Sequence, residues 1–260
     1  APALLGMVHE PAERRCVLLL EDLEARYTLA DDPLRRGRLG RAVDELVRLH
    51  AHWWQHPRIY AADLSIPQNG FSRLAQALPE RQIRGNARQA REAIAAFTHR
   101  FAAELGADEL RLLHDLPEAW GERFAGRVAN GRHLTLCHGD FHLFGNVLFP
   151  REPADGARPR FVDWNQHRRG LGAHDLAYCL VCHDVEPARR LERDTALLRR
   201  YHRGLRRGGV AGYSLEQCEW DFRFSVLANL FLAFFVCRLG WFTKAMAAVR
   251  VWDAGRTLEG

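Results

Sequence analysis

The stretch LCHGDFHLFGNVLF, residues 136–149, sets two histidines, an acid, an asparagine and two glycines between apolar flanks. Core strands are made of alternating or continuous apolar runs, and this one is interrupted by side chains that a buried strand has no use for. Two readings are open. His138 and His142 stand four apart, a spacing at which one helix face offers two ligands to zinc. Alternatively, Asp140 and Asn146 belong to a catalytic loop. Gly139 followed by Asp140 favours a loop over a helix. No Glu or Cys completes an obvious ligand set, although Cys137 is adjacent.

The flanks of this stretch set the fold class. RHLTLCHGD carries a short β-like run, NVLF a second, and RFVDW a third, with the turn-rich PREPADGARP between the last two. That predicts a small β hairpin set inside a protein that is otherwise helical. After Pro33, Leu39, Val43, Leu46, Val47 and His50 fall on one face of a helix running from Leu34 to about Trp54. Residues 56–85 hold prolines and an Asn-Gly pair and predict a loop with a short helix. Further helices are expected at 86–105, 108–129, 173–183, 187–207, 215–239 and 241–253. Near the start, CVLLLEDL (16–23) predicts a buried strand leaving into a turn. The class is α+β, mostly helical, with no internal repeats and with its few strands clustered around the unusual residues. Loops on such a scaffold are where chemistry concentrates.

Composition narrows the function classes. With 260 residues and 47% hydrophobic side chains, the chain suits one large domain or two small ones with a substantial core. Its longest apolar run, SVLANLFLAFFVC (225–237), is too short to span a bilayer and predicts a buried helix. The first ten residues lack the basic and apolar regions of a secretory leader. The net charge of +5 and pI near 9.1 raise the question of polyanions. The basic residues are scattered and almost all arginine, with Lys244 the single lysine, so no nucleic-acid partner is expected. Cysteines 16, 137, 179, 182, 218 and 237 lie mostly in apolar segments, as small hydrophobes do, which fits a reducing cytoplasm.

HGDFHLFGN taken together with FVDW supplies what phosphoryl transfer needs. One carboxylate orients the acceptor hydroxyl and takes its proton, while another acid and an amide hold the magnesium ions on the phosphates. Asp140 would be the base, and Asn146 and Asp163 the metal ligands. With GLGAHDLAY following, these motifs resemble the aminoglycoside phosphotransferase and choline kinase group, in particular its ecdysteroid kinase-like branch. VLLLEDL resembles the last N-lobe strand and hinge of that group, LVRLHAHWW its first large C-lobe helix, and CEWDFRFSVL its late helices, so the likeness runs from about residue 8 to 240. The resemblance implies a protein-kinase-like C-terminal lobe from 25 to 260, with residues 1–24 as the last N-lobe strands and hinge. It also implies ATP and Mg²⁺, a small-molecule alcohol as acceptor, and adenine held by the backbone of Glu21, Asp22 and Leu23. His138 and His142 would support the site, and Asp175 would brace the loop from a helix start, a place that suits an acid on electrostatic grounds as well.

This sequence departs from the group's pattern twice. The group places the asparagine five residues after the acid; Asn146 stands six after Asp140. Either Gly145 permits a bulge that still delivers Asn146, or the ligand is displaced; the intact flanking strand pattern favours the bulge. The glycine-rich loop and strand lysine of an N-lobe are also missing, which leaves a catalytically impaired kinase-like binding module as an alternative. A rival motif is CLVCH (179–183), which matches the pattern for covalent haem attachment or a redox dithiol, although its setting predicts one buried helix. GLG at 170–172 is expected to be a turn, the arginine run at 199–207 a solvated face, and His50 and His52 helix-packing residues. The acceptor-side loops, 56–85 and 184–214, carry no excess of acid for polycationic aminoglycosides, and an apolar alcohol fits as well.

Overall fold

The periodicity that predicts a helix after Pro33 is realised in α1, Arg38–Trp53, which buries Leu39, Ala42, Val43, Leu46, Val47 and His50. The structure is a computed structural model that describes residues 1–13, 15–30, 32, 37–61, 75–152, 157–183 and 187–259. Residues 34–36 of the expected first helix, residues 62–74 of the expected loop at 56–85, and residues 184–186 of the second acceptor-side loop lie outside the described residues. A short helix, α2, spans Pro57–Ala61. Helix α3, Glu80–Arg100, begins six residues earlier than expected, directly after Pro79, whose fixed φ of −54° is already suited to a helix start. Then follow α4 (Ala107–Val128), α5 (Ala173–Cys182), α6 (Arg190–Arg207), α7 (Leu215–Phe235) and α8 (Leu239–Trp252). Ser214 caps α7 by accepting the Gln217 N–H. Cys237, at φ 49°, turns the chain between α7 and α8.

Among the described residues all the strands are short and antiparallel. β1 (Leu4–Glu10) pairs with β2 (Arg15–Leu20). β5 (Val147–Pro150) lies between β3 (Tyr27–Thr28) and β6 (Arg160–Phe161). β4 (Thr135–Cys137) pairs with β7 (Arg168–Gly170), a strand that the sequence pattern did not predict. The three predicted strands therefore do not form one hairpin set. Gly139, at φ 88°, turns the chain out of line after β4, so β5 joins a different sheet.

A second correction concerns CVLLLEDL. β2 is exposed along its whole length, and so is most of β1: Leu5 is 64% and Leu19 62% accessible. An apolar run signals burial only where a second layer exists to cover it. Among the described residues nothing covers either face of this hairpin. The core lies instead among the helices. The Trp120 ring stacks on Phe224 with centroids 5.1 Å apart, tying α4 to α7, and truncation of such a ring costs about 3–5 kcal/mol. Arg127 of α4 makes a two-pronged bond to the buried Asp221 of α7 at 2.7 Å on each arm. On α6 the arginines at 199, 203, 206 and 207 are exposed, as a solvated face should be. No helix among the described residues is long and apolar enough to cross a membrane.

Candidate active site

Helix α5 organises the loop that follows β4. It is apolar nearly all round, and every one of its residues is buried. Its first turn carries Asp175, whose Oδ2 accepts the His138 N–H at 2.6 Å and whose Oδ1 accepts the Gly139 N–H at 2.9 Å. Oδ2 also meets His50 Nε2 at 3.2 Å, and His50 Nδ1 meets the Tyr201 hydroxyl at 2.7 Å. Burial alone would raise the Asp175 carboxyl. The His50 hydrogen bond and the nearby charges of His50 and Arg168 outweigh it and hold the group well below the usual carboxylate range. The expected bracing role of Asp175 thus has a geometry. Gly139 is obligatory here: a Cβ would lie 2.0 Å from the Gln166 carbonyl oxygen, and its φ is positive. Buried Arg168 of β7 donates to the Gly139 and Gln166 carbonyls at 3.3 and 3.1 Å, fastening the turn from the other side.

Asp140, at the tip of this turn, is partly exposed. Its Oδ1 accepts the Tyr178 hydroxyl at 2.6 Å and its Oδ2 accepts Asn146 Nδ2 at 3.0 Å. Asn146 Nδ2 also donates to the Asp140 carbonyl at 2.7 Å. Two acceptors on one side of the amide fix its orientation and leave Oδ1 as the atom to offer a cation. The extra residue of the loop is absorbed between these groups. The Asn146 N–H donates to the His142 carbonyl at 3.2 Å, closing a single helical turn over residues 142–146. Within it Leu143 is fully buried, Phe144 is turned out to solvent, and the Leu143 N–H donates to His183 Nε2 at 2.7 Å. Asn146 therefore stays beside Asp140 despite the longer spacing. His142 contributes through its carbonyl; its ring nitrogen lies 3.8 Å from Asp140 Oδ1, beyond hydrogen-bond range.

His138 connects the loop to the segment after β6 that carries Asp163. Its Nδ1 accepts the Asp140 N–H at 3.3 Å, and its Nε2–H donates to the Val162 carbonyl at 2.9 Å. Burial lowers its pKa, keeping the neutral ring that this pattern requires. Asp163 follows, exposed, at φ 60° and ψ 64°, a left-handed conformation rare for a residue with a side chain. Val162 also lines a cavity of about 470 Å³ together with Leu20, Glu21, Asp22, Leu23 and Leu148. The expected hinge residues thus share one pocket with the neighbours of Asn146 and Asp163, at a size that suits a small ligand. A larger open groove of about 1030 Å³, between α3, α4 and α7, contains none of these residues.

The loop, Asp163 and residues 21–23 lie in segments on which the likeness to phosphotransferases rested. Residues 2–208 match the ecdysteroid kinase-like family. The chain belongs to that family. Comparison with curated proteins finds no match. Members of the ecdysteroid kinase-like family are kinase-like small-molecule phosphotransferases, and the mostly helical α+β architecture described above agrees with that fold.

The rival motifs have other uses in this ecdysteroid kinase-like chain. Both His138 nitrogens are engaged by protein groups, so His138 and His142 do not form a zinc pair. Cys179 and Cys182 are buried in α5, where burial pushes both thiols up. His183 uses Nε2 to hold Leu143, and burial, followed by the charges of His142 and Lys244, pulls its imidazole down to about 4. Covalent haem attachment needs accessible thiols and a free imidazole, and CLVCH presents neither. The contacts of Tyr178, His183, Arg168 and His50 were not foreseen from the sequence. Only His50 left a trace in the sequence, as a polar residue on the apolar face of α1.

Proposed function

We propose that this chain is an ATP-dependent phosphotransferase that moves the γ-phosphate to a hydroxyl of a small-molecule alcohol. The observation that supports it best is the accessible Asp140 carboxylate on a loop pinned by Asp175, beside Asn146. In this reading the acceptor O–H donates to Asp140, which takes the proton as the oxygen attacks Pγ. A new P–O bond forms, the bond to the β-phosphate oxygen breaks, and ADP leaves with that electron pair. The backbone of Glu21, Asp22 and Leu23 holds adenine in the cavity they line. Asn146 through Oδ1 and Asp163 through its carboxylate offer the hard oxygen donors that Mg²⁺ prefers. When bound, Mg²⁺ neutralises phosphate charge. Residues 1–24, with the hairpin β1–β2, are N-lobe strands and hinge in this scheme, and the protein works in the cytoplasm without nucleic acid or membrane.

A catalytically impaired kinase-like binding module is the second reading. It is favoured by the position of the single lysine, Lys244, on α8 rather than on a strand. Mg·ATP titrations and phosphorylation of a panel of alcohols decide between the two. The enzyme reading expects wild-type turnover, its loss in Asp140→Ala with nucleotide binding retained, and loss of Mg²⁺-dependent nucleotide affinity in Asp163→Ala. Binding without turnover in the wild type establishes the module; undiminished turnover by Asp140→Ala removes that residue as the base.

A further inference from the structure

The loop backbone is held by Asp175, but a backbone brace leaves the side chain of Asp140 free to rotate. Two groups restrain it. Asn146 takes Oδ2, on the side assigned to the metal. Tyr178 takes Oδ1 through a 2.6 Å hydrogen bond from its hydroxyl. Tyr178 stands three residues after Asp175 on the same fully buried helix, so one rigid element fixes both the loop and the carboxylate. The phenol is itself buried, and its ring lies 5.7 Å from that of Trp241 on α8. A hydroxyl in such a place is a committed donor, since burial and the adjacent carboxylate both oppose its ionisation.

We propose that Tyr178 is the positioning residue of Asp140: its hydroxyl occupies one lone pair of Oδ1 and aims the other at the acceptor hydroxyl. This rests on the phosphotransferase reading. A carboxylate oxygen accepts two hydrogen bonds, so the tyrosine leaves a place for the substrate. Without it the carboxylate samples rotamers that point away from the acceptor, and the fraction of productive encounters falls. The contribution belongs to the chemical step, because the phenol bonds Oδ1 and leaves Oδ2 to Asn146.

The test uses the full chain with Mg·ATP, with water and then the alcohol panel as acceptors. Tyr178→Phe is expected to lower kcat about tenfold or more, the weight of a hydrogen bond to a charged group, with KM for Mg·ATP within about twofold. In an Asp140→Ala background the same substitution is expected to leave the residual single-turnover rate unchanged, since there is no carboxylate left to position. An unchanged kcat in Tyr178→Phe, or an equal loss in both backgrounds, overturns the proposal. A wild type inactive with every acceptor, or an Asp140→Ala as active as the wild type, overturns the phosphotransferase reading instead and the proposal with it. If Tyr178→Phe does not fold, 3-fluorotyrosine placed at 178 keeps the packing. Its ¹⁹F resonance is expected to shift on Asp140→Asn, and a resonance that does not respond refutes the contact.

Discussion

Removing the Asp175 carboxylate is expected to do more damage than its distance from the acceptor suggests. The group is fully buried and receives the His138 N–H, the Gly139 N–H and His50 Nε2. Asp175→Ala leaves two backbone donors and an imidazole without their acceptor. A stranded buried donor costs about 1–3 kcal/mol, and breaking a buried charged pair costs about 3–5 kcal/mol in total. We expect about 4 kcal/mol of lost stability in urea unfolding, together with faster amide exchange at His138 and Gly139. Asp175→Asn keeps one acceptor oxygen for three donors and is expected to lose about 2 kcal/mol or more. Both variants should lose turnover even where they remain folded, because the turn that carries Asp140 is no longer fixed. A loss under about 1 kcal/mol in Asp175→Ala, with amide exchange at the two positions unchanged, would refute the brace.

Other consequences are checked with simple measurements. Gly139→Ala forces a side chain into both a positive φ and the Gln166 carbonyl; it should lose turnover and more than about 2 kcal/mol of stability, read by thermal melting. Stability should decline with acid in two stages. His183 and His174, held near 4 and 3 against an ordinary 6.5, bind protons in the unfolded chain first, so their contribution is complete above about pH 6.5 and is lost as the pH falls towards those values. Asp175, held below its ordinary 3.8, adds a second loss below that pH. His183→Gln should flatten the upper stage in acid titrations followed by circular dichroism. A thiol reagent under native conditions should modify exposed Cys16 promptly and Cys237 more slowly, and reach Cys137, Cys179, Cys182 and Cys218 only on unfolding, as mass spectrometry of the labelled peptides would show.

That Asp140 and Asn146 share one loop was legible in the sequence because they are local. Gly139 and Asp140 announce a turn, and the late Asn146 could be absorbed because the chain closes a helical turn over residues 142–146. The helices were legible for the same reason: in α1 the 3.6-residue rhythm of apolar side chains is the buried face. The hairpin β1–β2 misled because hydrophobicity records what a strand can bury, not whether anything lies over it.

What the sequence by itself determined is therefore the class of fold and the loop that holds Asp140 and Asn146 together. Only the tertiary structure decided which partners hold them. Tyr178 meets Asp140 across 38 positions, Asp175 meets His138 across 37, and His50 meets Asp175 across 125. β4 finds β7 rather than the strand that follows it. Periodicity specifies which face of an element turns inward, but it carries no record of which other face it will meet. That is set by how α1, α5 and the short strands cross, and the buried polar groups left over at those crossings must then find one another.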